Sequence, residues 1–206
     1  MSVAHGDWRR IASAAMPILA ARPREKYLDD LRCRLPDLRL TYEEVGATAG
    51  PALPKGYHHD RVSTELGGGD EVWARAQEAV RTWQAHRRAG ATIYPTEALI
   101  AVGTEVVAMV RLGLLFIVAP CRVVYVTAEP DRFGFAYGTL PGHPERGEEA
   151  LHVTRHCDGT VRFEIVAFSR PATAMARLGG PLSRLVQDRT TRLYLDGVGR
   201  YATGHS

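Results

Sequence analysis

The residues best suited to chemistry lie together in one stretch, FGFAYGTLPGHPERGEEAL, from Phe133 to Leu151. It offers a tyrosine, a histidine held between glycine and proline, and three glutamates. Period-two alternation puts Phe135, Tyr137 and Thr139 on one face of the strand that opens the stretch. An inward Tyr137 could donate a hydrogen bond to a ligand carbonyl; the plainer alternative is a core tyrosine with its hydroxyl at the rim. His143 precedes Pro144, which restricts it to extended backbone. A histidine held this way suits general acid–base work near neutral pH, and it equally suits a structural imidazole bonded to loop carbonyls. Glu148 and Glu149 must point to opposite faces if strand geometry has begun there, so one of them enters the interior. A glutamate buried in apolar surroundings has a raised pKa and can deliver a proton near neutrality. The competing reading for Glu145, Glu148 and Glu149 is ion pairing with Arg146, Arg155 or Arg170. Tyr137, His143 and Glu148 are the expected catalytic groups. Phe135, Thr139, Glu145 and Glu149 are the expected ligand contacts around them.

Other polar residues carry weaker signals. Tyr42, Glu43 and Glu44 follow one another on an expected strand, so either Tyr42 and Glu44, or Glu43 alone, face inward toward a ligand. Trp83 suits core packing and is also a candidate ligand wall. His58, His59 and Asp60 are adjacent, and adjacent strand residues diverge, so no metal site is expected. Gly67-Gly68-Gly69 lacks the GK[ST] or GxGxxG continuation that would cradle a phosphate, and no cofactor is expected.

The elements that must position these groups follow from periodicity and turn chemistry. Residues 1–36 read as a helical extension, with DWRRIASAAMPILAA interrupted at Pro17. A second segment there carries Tyr27, Leu28, Leu31 and Leu35 on one face. LRLTYEEVGAT reads as a strand ending at Gly46, and GYHHDRVSTEL as the next. Asp70 is placed to cap a helix running to about Ala89, with Val72, Trp73, Ala76, Val80 and Trp83 on one side. Strands are then expected near 92–101, 104–110, 113–119, 121–128, 132–139, 149–156 and 160–168, joined by short turns. Asp158-Gly159 is a strong hairpin signal among these turns. A helix from about Ala172 to Tyr201 closes the chain, with Met175, Leu178, Leu182, Leu185, Val186, Leu193 and Val198 at helical spacing. Gly179-Gly180-Pro181 should break it. Gln187 and Arg189 on that helix read as surface residues.

This order gives an α+β fold: a curved antiparallel sheet wrapped around a long C-terminal helix. The layout resembles the helix-grip fold of Bet v 1 and START-type proteins, which implies a cavity between sheet and helix. The expected division is an N-terminal extension, 1–36, and a helix-grip domain, 37–206. LTYEEVGAT, GYHHD, CRVVYV, FGFAYGTLPGHPERGEEAL, FSRP and GPLSRLVQ…YLDGV together resemble the DUF1990 family, also called UPF0548, over about 38–201. That resemblance brings no established catalytic residues.

Composition narrows the partners. Hydrophobic residues at 45% and charged residues at 24% suit a soluble core of ordinary size. A formal charge of +3 is too small to imply nucleic acid, and the basic residues are nearly all arginine, Lys26 and Lys55 being the only lysines. With abundant Ala and Gly, that bias reads as a GC-rich bacterial coding sequence. Cys33, Cys121 and Cys157 have no CxxC spacing. No leader pattern opens the chain, and the apolar run 112–120 is too short for a span, so a cytoplasmic protein with no membrane partner is expected. The expected partner is a small, largely apolar molecule, with homodimerisation through the N-terminal extension as a further option. The family resemblance implies a role in natural-product biosynthesis, and the expected activity is a cofactor-independent proton-transfer step on a polyketide-like substrate, such as spiroketal-type closure of a hydroxy-ketone. A non-catalytic carrier using the same cavity is the alternative.

Overall fold

A computed structural model describes residues 18–172 and 180–204, with backbone only for 180–188. Its centre is one eight-stranded antiparallel sheet in the order β2-β8-β7-β6-β5-β4-β3. These strands are β2 (His58–Gly68), β3 (Ala91–Tyr94), β4 (Glu105–Leu112), β5 (Leu115–Ala128), β6 (Arg132–Thr139), β7 (Glu145–Arg155) and β8 (Thr160–Pro171). A two-residue strand, β1 (Ile18–Leu19), pairs with β5 at Phe116 and Ile117. Helices α2 (Asp70–Arg81), α3 (Gln84–Arg88) and α4 (Gly180–Ala202) cover one face of the sheet.

Alternation along the strands builds the main core on that inner face. Phe133 and Phe135 from β6, Leu151 and Val153 from β7, and Val161, Phe163 and Ile165 from β8 pack against Trp73, Ala76, Val80, Trp83, Tyr194 and Val198 of the helices. The opposite face is covered too. Helix α1 (Glu25–Arg32) and the turn after it set Leu28, Leu31 and Leu35 on Val107, Met109 and Val118. The segment from residue 38 to 57 straps across β6, β7 and β8, where Leu53 joins Ala136, Ala150 and Val166.

The Asp158-Gly159 hairpin forms as its residues dictate. Gly159 takes φ +85°, and Asp158 accepts a hydrogen bond from the Thr160 amide at 2.9 Å. Several expectations need correction. The stretch 38–46 is no strand: it crosses the sheet as a strap and ends in a short 3-10 turn, Ala47–Ala49. The strands expected at 113–119 and 121–128 are one strand, Leu115–Ala128, running through Pro120. The Pro120 carbonyl accepts from Leu140 on the β6 side, so the missing N–H also faces that side, beyond the last β6 residue, and no ladder bond is lost. Strand β7 begins at Glu145, four residues before its expected start. Asp70 does not cap α2; Gly69 takes the cap position at φ +94°, and the Asp70 carboxylate accepts from Arg155 at 2.7 Å. The helix expected to reach Ala89 breaks at Trp83, which takes left-handed backbone, φ +59°, a strained state for a bulky residue. The α4 backbone is described from Gly180 and runs helical through Pro181, so the break expected at Gly179-Gly180-Pro181 does not fall after Gly180. The helix expected before Pro17, and the placements of Met175, Leu178, Leu182, Leu185, Val186 and Gln187, fall outside the described residues.

Gly147 shows how tightly β7 and β8 are joined. It has positive φ, and any Cβ added there would overlap the Phe168 carbonyl. Gly147→Ala should therefore pry apart the two strands flanking Glu148 and Glu149, costing at least about 3 kcal/mol. Urea denaturation checks this; a loss below about 1 kcal/mol would show that the pairing can shift to make room.

Candidate functional site

Tyr137 and Glu149 lie opposite each other on β6 and β7 and face the helices. Ala167 on β8 continues the row beside Glu149, and Asp60 on β2 completes it. The neighbouring row, Val62–Ile165–Leu151–Phe135, is wholly apolar. The inner face therefore changes from hydrocarbon to carboxylate and phenol within one strand repeat. Small Ala167 puts no bulk between the two acids.

A chain of contacts joins this row to the helices. The Tyr137 hydroxyl donates to the Glu149 carboxylate, and His86 Nε2 lies 3.0 Å from the same hydroxyl oxygen. Aromatic rings enclose the junction: Trp83 and Tyr194 pack at 5.1 and 4.7 Å from the His86 ring, and Trp83 meets Phe135 edge-on at 4.7 Å. Backbone strain at Trp83 has a local use here. Its left-handed turn starts α3 in a new direction and brings His86 onto the inner face, while the indole N–H donates to the Ala98 carbonyl at 3.0 Å.

The electrostatics follow from enclosure. Burial raises Glu149 from 4.5 to about 7; the Tyr137 bond works against that rise, and Glu145 and Asp60 add to it by like-charge repulsion. Burial drives His86 down to about 3, with Arg87 adding to the effect, so its imidazole is neutral. Burial also raises the phenols of Tyr137 and Tyr194 and the thiol of Cys121, and Glu149 raises all three further. By surface area, however, Glu149 and Tyr137 are only half-buried, whereas His86, Trp83, Cys121 and Tyr194 are buried. Protein crowds the pair, and each keeps part of its surface exposed at the edge of the main core. Water reaches part of the Glu149 carboxylate and moderates the rise.

The expected site residues divide between the two faces. Phe135, Tyr137, Trp83 and Glu149 meet at the inner face. Glu145 shares the inward parity of Glu149 at the start of β7. Glu148, expected to be catalytic, points to the outer face, where it accepts bonds from the Tyr42 hydroxyl (2.7 Å), the Gly46 amide (2.7 Å) and both the amide and hydroxyl of Thr48. In this geometry Glu148 and Tyr42 anchor the strap. Glu43 is exposed on the strap, away from the inner face. Thr139 meets the Thr41 hydroxyl and accepts from the Gly147 amide at 3.1 Å, which ties the strap to the β6–β7 turn. His143 Nδ1 accepts from the Glu145 amide at 3.0 Å, and burial lowers its pKa to about 4. It closes the turn as a neutral ring. His58 and Asp60 share a face and lie 3.2 Å apart. Among the described residues, no group of three or more His, Cys, Asp or Glu side chains is placed to hold a metal ion.

His86, Tyr194 and Cys121 complete the cluster and were not among the expected site residues. Tyr194 and Val198, four apart on α4, carried a helical-spacing signal that could have shown Tyr194 inward. His86 had no such signal: an unbroken helix would also leave it beside Trp83, but a lone polar residue adds nothing to an apolar periodicity.

An antiparallel sheet curved about a long C-terminal helix is the helix-grip arrangement of Bet v 1-like proteins. The crystal structure of Ara h 8.0201 superposes with a TM-score of 0.50 at 7% identity, covering 73% of this chain and all of that one. At that identity the likeness concerns fold alone. The sequence places the chain within that class: residues 41–197 match the DUF1990 family, described as a domain of unknown function, and the protein belongs to it. A UPF0548 protein of Deinococcus radiodurans is 35% identical over 168 residues, 75% of this chain and 83% of that one. A UPF0548 protein of Arabidopsis thaliana is 30% identical over 141 residues, covering 66% and 67%. The family thus extends beyond bacteria. Among the described residues, no helix is long and apolar enough to cross a membrane.

Proposed function

We propose that the protein binds a small, largely apolar molecule in a recess between sheet and helices and carries out a cofactor-independent acid–base step on it. One observation carries this reading: the half-buried Glu149 carboxylate, pushed up toward neutrality by burial, sits in an aromatic enclosure with the Tyr137 hydroxyl bonded to it. Such a carboxylate exchanges protons without a large driving-force penalty at physiological pH. The apolar row beneath it would hold and orient the carbon skeleton.

Addition of a substrate hydroxyl to its own ketone fits the two groups. The hydroxyl oxygen forms a bond to the carbonyl carbon as the carbonyl π bond opens. Glu149 takes the hydroxyl proton. Tyr137 gives its own proton to the carbonyl oxygen and recovers one from Glu149 across their hydrogen bond. The net result is a cyclic hemiketal with both groups restored. A second hydroxyl adding with loss of water would close a spiroketal. In this scheme the inward acid is Glu149, not Glu148, and His143 serves the fold.

Mass spectrometry of the natively purified protein should find a copurified small molecule. Purified protein should then convert that molecule, or its immediate precursor. Glu149→Gln should keep binding within a few-fold and slow conversion by about 100- to 10,000-fold. A ligand released unchanged by the wild type would support the carrier reading, which the same aromatic walls also favour. Full turnover in Glu149→Gln would overturn the site.

A further inference from the structure

We infer that His86 is the positioning residue of this recess: with its proton fixed on Nε2, it holds the Tyr137 oxygen as an acceptor and so keeps the Tyr137 hydroxyl proton aimed at Glu149. The geometry is asymmetric. Nε2 lies 3.0 Å from the Tyr137 oxygen, whereas Nδ1 is buried without a hydrogen-bond partner. The ring is 2% exposed and neutral, so it carries one proton. Placing that proton on Nδ1 would strand an N–H donor in the interior, and orphaned buried N–H groups are rarer and costlier than idle lone pairs. Placing it on Nε2 leaves only a lone pair idle and makes a bond to Tyr137.

The consequence passes along the chain. A phenol oxygen that already accepts from His86 becomes a stronger O–H donor, since linked hydrogen bonds polarise one another. Its proton then supports the ionised form of Glu149. The other groups facing Glu149 are Glu145 on its own strand, Asp60 on β2, Cys121 on β5 and Tyr194 on α4. The two acids oppose ionisation, and the neutral Tyr194 phenol also shares a hydrogen bond with the Tyr137 hydroxyl, so His86 acts on Tyr137 alongside Tyr194.

The inference rests on Glu149 as the proton-carrying group, and its test needs no substrate. Nitrogen-15 spectra of the wild type should show His86 protonated on Nε2 alone across pH 5–8. Carboxyl carbon-13 titration, with the Glu149 signal assigned through Glu149→Gln, should move up by at least about half a pH unit in His86→Phe. His86→Gln, whose amide can reach the Tyr137 oxygen, should bring it back. A wild-type ring protonated on Nδ1, or an unmoved Glu149 titration in a folded His86→Phe, overturns the inference. If His86→Phe does not fold, the wild-type tautomer decides alone. Failure to find any ligand or turnover would overturn the functional reading and leave these spectra unchanged.

Discussion

Glu148→Ala should cost the fold roughly 3–5 kcal/mol, lowering the melting temperature by about 10 °C. Glu148 is 3% exposed, and its two oxygens receive the Tyr42 hydroxyl, the Gly46 and Thr48 amides and the Thr48 hydroxyl. Alanine would leave four donors in a closed interface with no acceptor, each carrying a desolvation penalty. The outer-face packing would also be disturbed. The Tyr42 ring lies over Gly138, where there is no Cβ to push it away, and meets Phe168 edge-on at 5.5 Å. Glu148→Gln should fall between the two, since its amide keeps one acceptor but turns a second donor toward donors. If Glu148→Ala melts within about 2 °C of wild type, the strap is not held through this carboxylate. A folded variant that lost turnover in proportion to no stability change would instead return Glu148 to the catalytic role expected from the sequence.

Glu148 and Glu149 mark the boundary of what the sequence could reveal. Alternation required the two to diverge, and they do. Which one enters the interior depends on where β7 begins and how it pairs with β6. Strand pairing starts at Glu145 and passes through Gly147 at positive φ, a bend that hydrophobic patterning does not report. The hairpins were legible because Asp158-Gly159 and the residues around Pro130 have local conformational reasons to turn. The strap was not, because LRLTYEEVGAT has strand-like composition but meets the sheet crosswise, through Tyr42 and Thr48 bonding to Glu148, 106 and 100 positions away. His86 was hidden because a lone polar residue adds nothing to an apolar periodicity. The helix break beside it was hidden too: a tryptophan in left-handed backbone, compensated by burial and a long-range bond to Ala98, makes it. Local propensity argues against that conformation, and tertiary packing overrides it.

Glu149→Gln should make the protein more stable than wild type at pH 8 while removing the proton-transfer step. The folded protein holds Glu149 at about 7 against its usual 4.5, so the native state binds this proton more tightly than the unfolded chain does. Stability contributed by the protonated form is complete below pH 4.5, declines as pH rises, and is gone above about 7. Held ionised at pH 8, Glu149 costs the fold roughly 2–3 kcal/mol after allowing for partial hydration of a half-buried carboxylate. Glutamine mimics the neutral acid, still accepts from Tyr137, and carries no such cost. Three histidines act in the opposite sense. His86, His143 and His152, lowered by burial to about 3, 4 and 4, keep their stabilising effect above 6.5 and lose it as pH falls toward those values. In wild type the two trends oppose each other between pH 4.5 and 6.5. In Glu149→Gln only the histidine trend remains, so urea midpoints should climb steadily from pH 4.5 to 6.5 and then hold level. Equal midpoints for the two proteins at pH 8, with parallel slopes below it, would mean that Glu149 ionises freely and cannot be the neutral-pH acid of the recess. A carboxylate kept at the expense of stability, where its amide would fold better, is what a proton-transfer role predicts.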